Sequence, residues 1–151
     1  MSFYRDYNDK LAFEAWNNRT HPEFKTIQVV PISPAGGAEV QGVDLSKPIS
    51  DEQFNEIQTA AAEYLALAFR NQSITSEQHK QFGLRFGHLH RHVSASKRAP
   101  GGDPEILAWK TGKLSRFTAG EAWHNDVSCD ETPISTSILR LTKQPELGGN
   151  T

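Results

Sequence analysis

The chain has 151 residues, of which 36% are hydrophobic, and a formal net charge of −2, as expected for one folded, soluble domain. Its 16 lysines and arginines are scattered among 18 acidic residues, so the sequence offers no basic stripe for nucleic acid. Apolar runs stay short of the roughly 20 residues that cross a bilayer, and the single cysteine cannot form an internal disulfide, so we expect a cytoplasmic protein without a membrane partner.

A β-hairpin is predicted near the start of the chain. Residues 1–25 mix charged and aromatic side chains and are expected to form an N-terminal extension, ahead of a main domain at residues 26–151. Residues 26–32 are rich in β-branched side chains and predict a strand. A Pro-Ala-Gly-Gly turn signal follows, and residues 38–45 predict the second strand of the hairpin.

Two helices are predicted from capping boxes, in which a hydroxyl side chain and a glutamine three residues later cap the first turn. The first box runs from Ser50 to Gln53, and the second from Thr75 to Gln78. The second helix is expected to end near Phe86, at Gly87. Between the helices, residues 65–70 predict a short buried strand. The buried face of the first helix is predicted from apolar spacings of three and four, at Phe54, Ile57, Ala61, Tyr64 and Leu65.

The second half of the sequence favours strands and loops. Residues 94–103 and 110–120 are polar loops, while residues 106–109, 123–128 and 134–141 predict strands. Early helices followed by later strands indicate an α+β fold.

The tripeptide His124-Asn125-Asp126 is the strongest candidate for chemistry. On a strand, side chains two residues apart share a face, so His124 and Asp126 are expected to point at one ion. One imidazole and one carboxylate are two parts of the 2-His-1-carboxylate triad that binds Fe(II). The alternative is a hydrogen-bonded surface pair, because short motifs of this kind also occur by chance.

Three alternating histidines, His88, His90 and His92, could share one face of a strand. They leave open a second metal site, and with it a cupin-like module that binds zinc. The other interpretation is solvated histidines together with one pocket residue.

Six segments carry motifs that recur in a fixed order along the chain. They are residues 37–45 (GAEVQGVDL), 67–72 (LAFRNQ), 82–87 (FGLRFG), 123–128 (WHNDVS), 131–133 (ETP) and 148–151 (GGNT). Together they resemble the TauD/TfdA family of Fe(II)- and 2-oxoglutarate-dependent dioxygenases, with a similarity that extends from about Thr26 to Thr151.

This resemblance implies an incomplete double-stranded β-helix, or jelly roll, with flanking helices. It implies an enzyme that uses O2 and 2-oxoglutarate to hydroxylate a small sulfonate- or carboxylate-bearing substrate, with release of succinate and CO2. His124 and Asp126 match the iron ligands, and Thr151 matches a threonine that binds 2-oxoglutarate. Without the resemblance, Thr151 would be taken as a turn residue. Four positions match substrate contacts of the family, at His92, Gly120, Val127 and Cys129.

Two of these positions depart from the taurine branch of the family. Gly120 stands where that branch has a polar amide, and Cys129 where it often has an aromatic side chain. The resemblance therefore implies a substrate bulkier or less polar than taurine. Cys129 is alternatively an inert small apolar residue.

The family's second histidine ligand and its 2-oxoglutarate-binding arginine are expected beyond residue 151. The 151-residue chain is accordingly predicted to be incomplete and inactive alone, and its open strand edges would favour a homo-oligomer. A non-catalytic fragment of such an enzyme stays as the alternative.

Overall fold

The elements with defined bounds in the computed structural model are a hairpin, a short third strand and two helices, all within the residues that it describes. It divides into two compact units, residues 1–79 and 80–151. The residues that it describes are 10, 11, 14, 15, 18, 20–33, 36–91, 102–112, 124–128 and 130–143.

The first unit contains a three-stranded mixed sheet. Strand β1 (Gln28–Pro31) pairs antiparallel with β2 (Ala38–Gln41), which pairs parallel with β3 (Leu67–Ala68), in the order β1-β2-β3. The predicted hairpin is confirmed, although its strands are shorter than expected. Gly37, at φ 89°, adopts a left-handed backbone in the loop between β1 and β2. Its carbonyl accepts a 2.9 Å hydrogen bond from the Ile32 amide, which closes the hairpin.

Helix α1 (Asp51–Tyr64) begins where the first capping box predicts it. The Ser50 hydroxyl accepts a 3.1 Å hydrogen bond from the Gln53 amide. The Gln53 side chain, however, donates to the Thr26 carbonyl at 3.3 Å, so it links the helix to the start of the sheet. The prediction that Leu65 is buried on this helix is wrong, because α1 ends at Tyr64 and Leu65 turns away with φ 67° and 80% exposure.

Helix α2 (Ser76–Leu84) has a complete capping box. The Gln78 amide donates to the Thr75 hydroxyl at 3.1 Å, and the Thr75 amide donates to the Gln78 side-chain oxygen at 2.8 Å. The helix is two residues shorter than expected, since Phe86 already lies in a turn that bonds to the last helical residues. Gly87, at φ 148°, follows this turn as predicted.

The Gln72 side chain links the segment that follows β2 to the segment that follows β3. Its side-chain oxygen accepts from the Leu45 amide at 2.8 Å. Its side-chain nitrogen donates to the carbonyls of Val43, at 3.0 Å, and Arg70, at 2.9 Å. All of its side-chain polar atoms are thereby used in the fold, which gives this glutamine a structural role.

The core of the first unit lies where α1 packs on β2 and β3. Ile57, at its centre, is completely buried. The buried apolar residues of this unit are Ile27, Ala38, Val40, Val43, Leu45, Phe54, Ile57, Ala60, Tyr64 and Ile74.

Three predicted strands are not formed. Residues 106–109, 124–128 and 134–141 are described without any strand. A pattern of apolar and β-branched residues favours a pleated, half-buried surface, but a strand also needs a neighbouring strand for its hydrogen-bond ladder. The α+β class thus describes the small sheet and its helices, while a jelly roll is not formed by the described residues. None of the helices in the described part of the chain is long and apolar enough to span a membrane.

Candidate metal centre

His124 precedes a turn and Asp126 is the first residue of that turn, so the prediction that a strand aligns them is wrong. Residues 126–128 form the turn, in which the Val127 carbonyl accepts a 3.1 Å hydrogen bond from the Asp130 amide. Val127 has φ 52°, a left-handed conformation that is unfavourable for a β-branched residue. The reversal at Val127 is incompatible with a continuous strand.

The two side chains nevertheless face each other. His124 Nε2 lies 3.2 Å from Asp126 Oδ1, and the side chains are 53% and 50% exposed. Two donors that each lie about 2.1 Å from a metal ion, at adjacent coordination positions, are roughly 3 Å apart. The neutral imidazole and the carboxylate therefore fit two positions of one Fe(II) ion, and the same distance also suits a direct ion pair.

Ser137 contacts the other oxygen of the same carboxylate. Its hydroxyl donates a 2.7 Å hydrogen bond to Asp126 Oδ2. The two oxygens of Asp126 are therefore distinguished, with one bound by Ser137 and the other directed at His124.

These side chains line an open cleft of about 460 Å³. Its wall is rich in hydroxyl groups, which suit hydrogen bonds to a polar or anionic ligand. The lining residues are His124, Asn125, Asp126, Ser128, Pro133, Ile134, Ser135, Thr136 and Ser137. Residues 135–137 were not predicted as part of the site, since their only local signal was three successive hydroxyl side chains.

A second histidine–aspartate pair lies in the same unit. His90 Nδ1 is 3.3 Å from Asp130 Oδ2, and the side chains are 25% and 42% exposed. His88 is exposed, and His92 lies outside the described residues. Within the described part of the chain, no group of three or more histidine, cysteine, aspartate or glutamate side chains is arranged to hold a metal.

The remaining predicted site residues divide in two groups. Val127 is half-buried in the turn next to Asp126. Four lie outside the described residues, at His92, Gly120, Cys129 and Thr151.

An ion-pair cluster that the sequence did not indicate links α2 to residues 103–105. Lys80, only 18% exposed, lies 2.9 Å from Asp103 and 3.6 Å from Glu105. Arg91 also contacts Glu105, at 3.4 Å. The Lys80 ammonium holds the pKa of Asp103 below its usual value, with help from the Glu105 amide. Because the lysine is balanced by carboxylates, the cluster has a structural role.

The chain matches one protein family over most of its length. The match covers residues 28–151 and the family is described as "Taurine catabolism dioxygenase TauD, TfdA family". This range includes the first strand, both helices and the cleft.

Individual relatives are similar at a moderate level of identity. A Schizosaccharomyces pombe protein that carries the name of an alpha-ketoglutarate-dependent sulfonate dioxygenase is 28% identical, across 94% of this chain and 39% of its own length. The (S)-phenoxypropionate/alpha-ketoglutarate-dioxygenase of Sphingobium herbicidovorans is 27% identical, across 82% of this chain and 43% of its own. The chain therefore spans about two fifths of the length of these relatives.

A solved structure is similar over a shorter region. The crystal structure of a taurine dioxygenase from Burkholderia xenovorans is 37% identical, with a TM-score of 0.44, and the match covers 46% of this chain and 26% of that one.

Proposed function

The chain belongs to the TauD/TfdA dioxygenase family, and on that basis we propose that the full-length protein is an Fe(II)- and 2-oxoglutarate-dependent oxygenase. It uses O2 to hydroxylate a small organic substrate that bears a sulfonate or carboxylate group, with one oxygen atom entering the product and the other the succinate that is released, together with CO2, from 2-oxoglutarate. The observation that carries the proposal is the 3.2 Å approach of His124 Nε2 to Asp126 Oδ1 inside the segment that matches the family.

His124 and Asp126 are the proposed protein ligands on this chain. The imidazole supplies a neutral donor, and the carboxylate offsets part of the charge of a divalent ion. Bound iron supplies the oxygen chemistry, which amino-acid side chains cannot perform. The third ligand and the arginine for 2-oxoglutarate are proposed to lie beyond residue 151, in the remainder of a jelly-roll domain.

Thr151 is proposed to hold the co-substrate. Its hydroxyl would donate a hydrogen bond to the distal carboxylate of 2-oxoglutarate. A hydrogen bond to a charged group of this kind contributes about 1.5–3 kcal/mol.

The names of several relatives support an anionic substrate. They include the (S)-phenoxypropionate dioxygenase of Sphingobium herbicidovorans, a sulfate ester dioxygenase of Pseudomonas putida and a 2,4-dichlorophenoxyacetate dioxygenase of Cupriavidus pinatubonensis. Each named substrate joins an organic group to a carboxylate or sulfate. The neutral hydroxyl groups of Ser128 and Thr136 in the cleft wall can donate hydrogen bonds to such a group, and His92, Gly120, Val127 and Cys129 are the proposed substrate contacts.

The proposal is tested by the turnover of 2-oxoglutarate. Purified full-length protein is supplied with Fe(II), 2-oxoglutarate and a panel of sulfonates, sulfate esters and aryloxy acids, and succinate is measured. We expect Asp126→Ala to abolish succinate production, because it removes the anionic ligand. Asp130→Ala, which removes a nearby carboxylate outside the proposed ligand pair, should keep most of the activity. Full turnover in Asp126→Ala would contradict the proposed function.

A further inference from the structure

We propose that Ser137 is a positioning residue for the metal-binding carboxylate, an inference that rests on the function proposed above. The observation is the 2.7 Å hydrogen bond from its hydroxyl to Asp126 Oδ2, on the oxygen that does not face His124. Asp126 Oδ2 is thereby bound by Ser137, which leaves Oδ1 as the proposed metal-binding oxygen.

The need for such a contact follows from the exposure of Asp126. Half of the side chain is accessible to solvent, so packing alone does not fix its rotation. The carboxylate has two equivalent oxygens, and a free carboxylate would present either of them, or both, to an ion. A hydrogen bond from a hydroxyl to a charged oxygen is short and stronger than one between neutral groups. With Oδ2 held in this way, Oδ1 is left to bind the metal beside His124.

The contact also joins two segments of the cleft. Asp126 begins the turn that continues through Val127, whereas Ser137 lies eleven residues later in another lining segment of the cleft. Val127 has φ 52°, a left-handed conformation that is unfavourable for a residue with a branched side chain. An unfavourable turn persists only where surrounding contacts hold it, and the bond from Ser137 is one such contact.

Polar groups that orient a metal ligand in this way have a measurable effect on the metal. Their removal typically weakens metal binding or activity by about ten- to a hundred-fold. Because Ser137 is itself exposed, we expect an effect near the lower end of this range.

The chain provides a matched control for this residue. Ser135 lines the same cleft two residues earlier and is also exposed. Ser135→Ala therefore removes an identical hydroxyl from the same wall, without removing the bond to Asp126.

The test measures the dissociation constant of Fe(II) without oxygen in the full-length protein. We expect Ser137→Ala to bind Fe(II) about ten-fold more weakly, Ser137→Thr to restore the affinity because it keeps the hydroxyl, and Ser135→Ala to match the wild type. The melting temperature of each metal-free protein is recorded in parallel, and it should change little.

The outcomes separate this inference from the function on which it rests. Unchanged affinity in Ser137→Ala, alongside strong loss in Asp126→Ala, would overturn the role of Ser137 and leave the proposed function intact. Unchanged affinity in Asp126→Ala would overturn both. Equal losses in Ser137→Ala and Ser137→Thr, with lower melting temperatures of the metal-free proteins, would assign Ser137 to packing and overturn the inference.

Discussion

At the scale of single residues, His124 and Asp126 face each other through a geometry that the sequence did not predict. The expectation rested on the two-residue repeat of a strand. In the structure the two side chains meet beside a turn whose second residue, Val127, has φ 52°. A valine gives no local signal for a left-handed backbone, since glycine and asparagine are the residues that favour it. The pair of residues was therefore predictable, but its backbone was not.

Ser137 illustrates a second limit of sequence reasoning. Its partner, Asp126, is eleven residues away, and the contact depends on the path of the intervening chain. Periodicity and capping rules describe neighbours within a helix or strand, so they do not predict a contact between residues eleven positions apart in a loop.

Gly120 and Cys129 carry the prediction on specificity. By the resemblance to the family, both stand where the taurine branch carries larger side chains, so we expect a substrate pocket that includes these proposed contacts to favour larger or less polar anions. We expect taurine to support a much lower kcat/KM than longer sulfonates, sulfate esters or aryloxy acids. Comparison of these substrates with the full-length protein tests the prediction, and a clear preference for taurine would refute the pocket argument.

At the scale of elements, the helix starts were the most predictable features. A hydroxyl residue with a glutamine three positions later satisfies local donors, and both helices begin beside such a pair. The strand predictions succeeded for the hairpin, where β1 and β2 are close in sequence and joined by a glycine turn. They failed at residues 106–109 and 134–141, because apolar patterns do not provide a partner strand.

Glu56 connects α1 to the first strand in a way that only the structure reveals. Its carboxylate accepts hydrogen bonds from the hydroxyl of Thr26, at 2.6 Å, and from the backbone amides of Lys25, Thr26 and Ile27, at 2.7, 2.8 and 3.2 Å. The Thr26 hydroxyl is the main cause that holds the pKa of Glu56 below its usual value, and the amides add to it. The charged form of Glu56 is therefore stabilised in the folded protein.

This arrangement predicts a pH-dependent contribution to stability. Because the folded pKa of Glu56 is lowered from 4.5, its contribution is complete above that value and is lost as the pH falls through the lowered pKa. We expect Glu56→Gln to lower the melting temperature at pH 7, because the side-chain NH2 of the glutamine would replace a carboxylate oxygen that accepts hydrogen bonds from these donors. The difference in melting temperature between the wild type and this variant should decrease in acid, where the Glu56 carboxyl of the wild type is protonated and therefore also uncharged.

The control for this prediction is Glu52→Gln. Glu52 is an exposed acid in the first turn of the same helix. Thermal unfolding of the wild type and both variants between pH 7 and pH 3 provides the comparison. If the melting temperature of Glu56→Gln equals that of the wild type at pH 7, or differs from it by the same amount at every pH, the charge of Glu56 does not stabilise the fold.

At the scale of the whole molecule, the family could be predicted from the sequence, and the match over residues 28–151 confirms it. The jelly roll that the resemblance implies is not formed by the described residues, and its strands would have to pair across large distances in sequence, which local patterns do not predict. Leu139 and Leu141, predicted on a strand, are 84% and 68% exposed. Since the chain spans about two fifths of the length of its relatives, the proposed activity concerns the full-length protein.

The proposed function depends most directly on where Fe(II) binds. Two histidine–aspartate pairs of almost equal separation provide a matched comparison, 3.2 Å for His124–Asp126 and 3.3 Å for His90–Asp130. The decisive measurement is the bound iron per full-length protein after anaerobic loading and removal of free metal, in the wild type and in the two double alanine variants. We expect one iron per wild-type protein, near-complete loss in His124→Ala/Asp126→Ala, and full retention in His90→Ala/Asp130→Ala. Retention of iron in the first variant, with loss in the second, would contradict the assignment of His124 and Asp126 as the metal ligands.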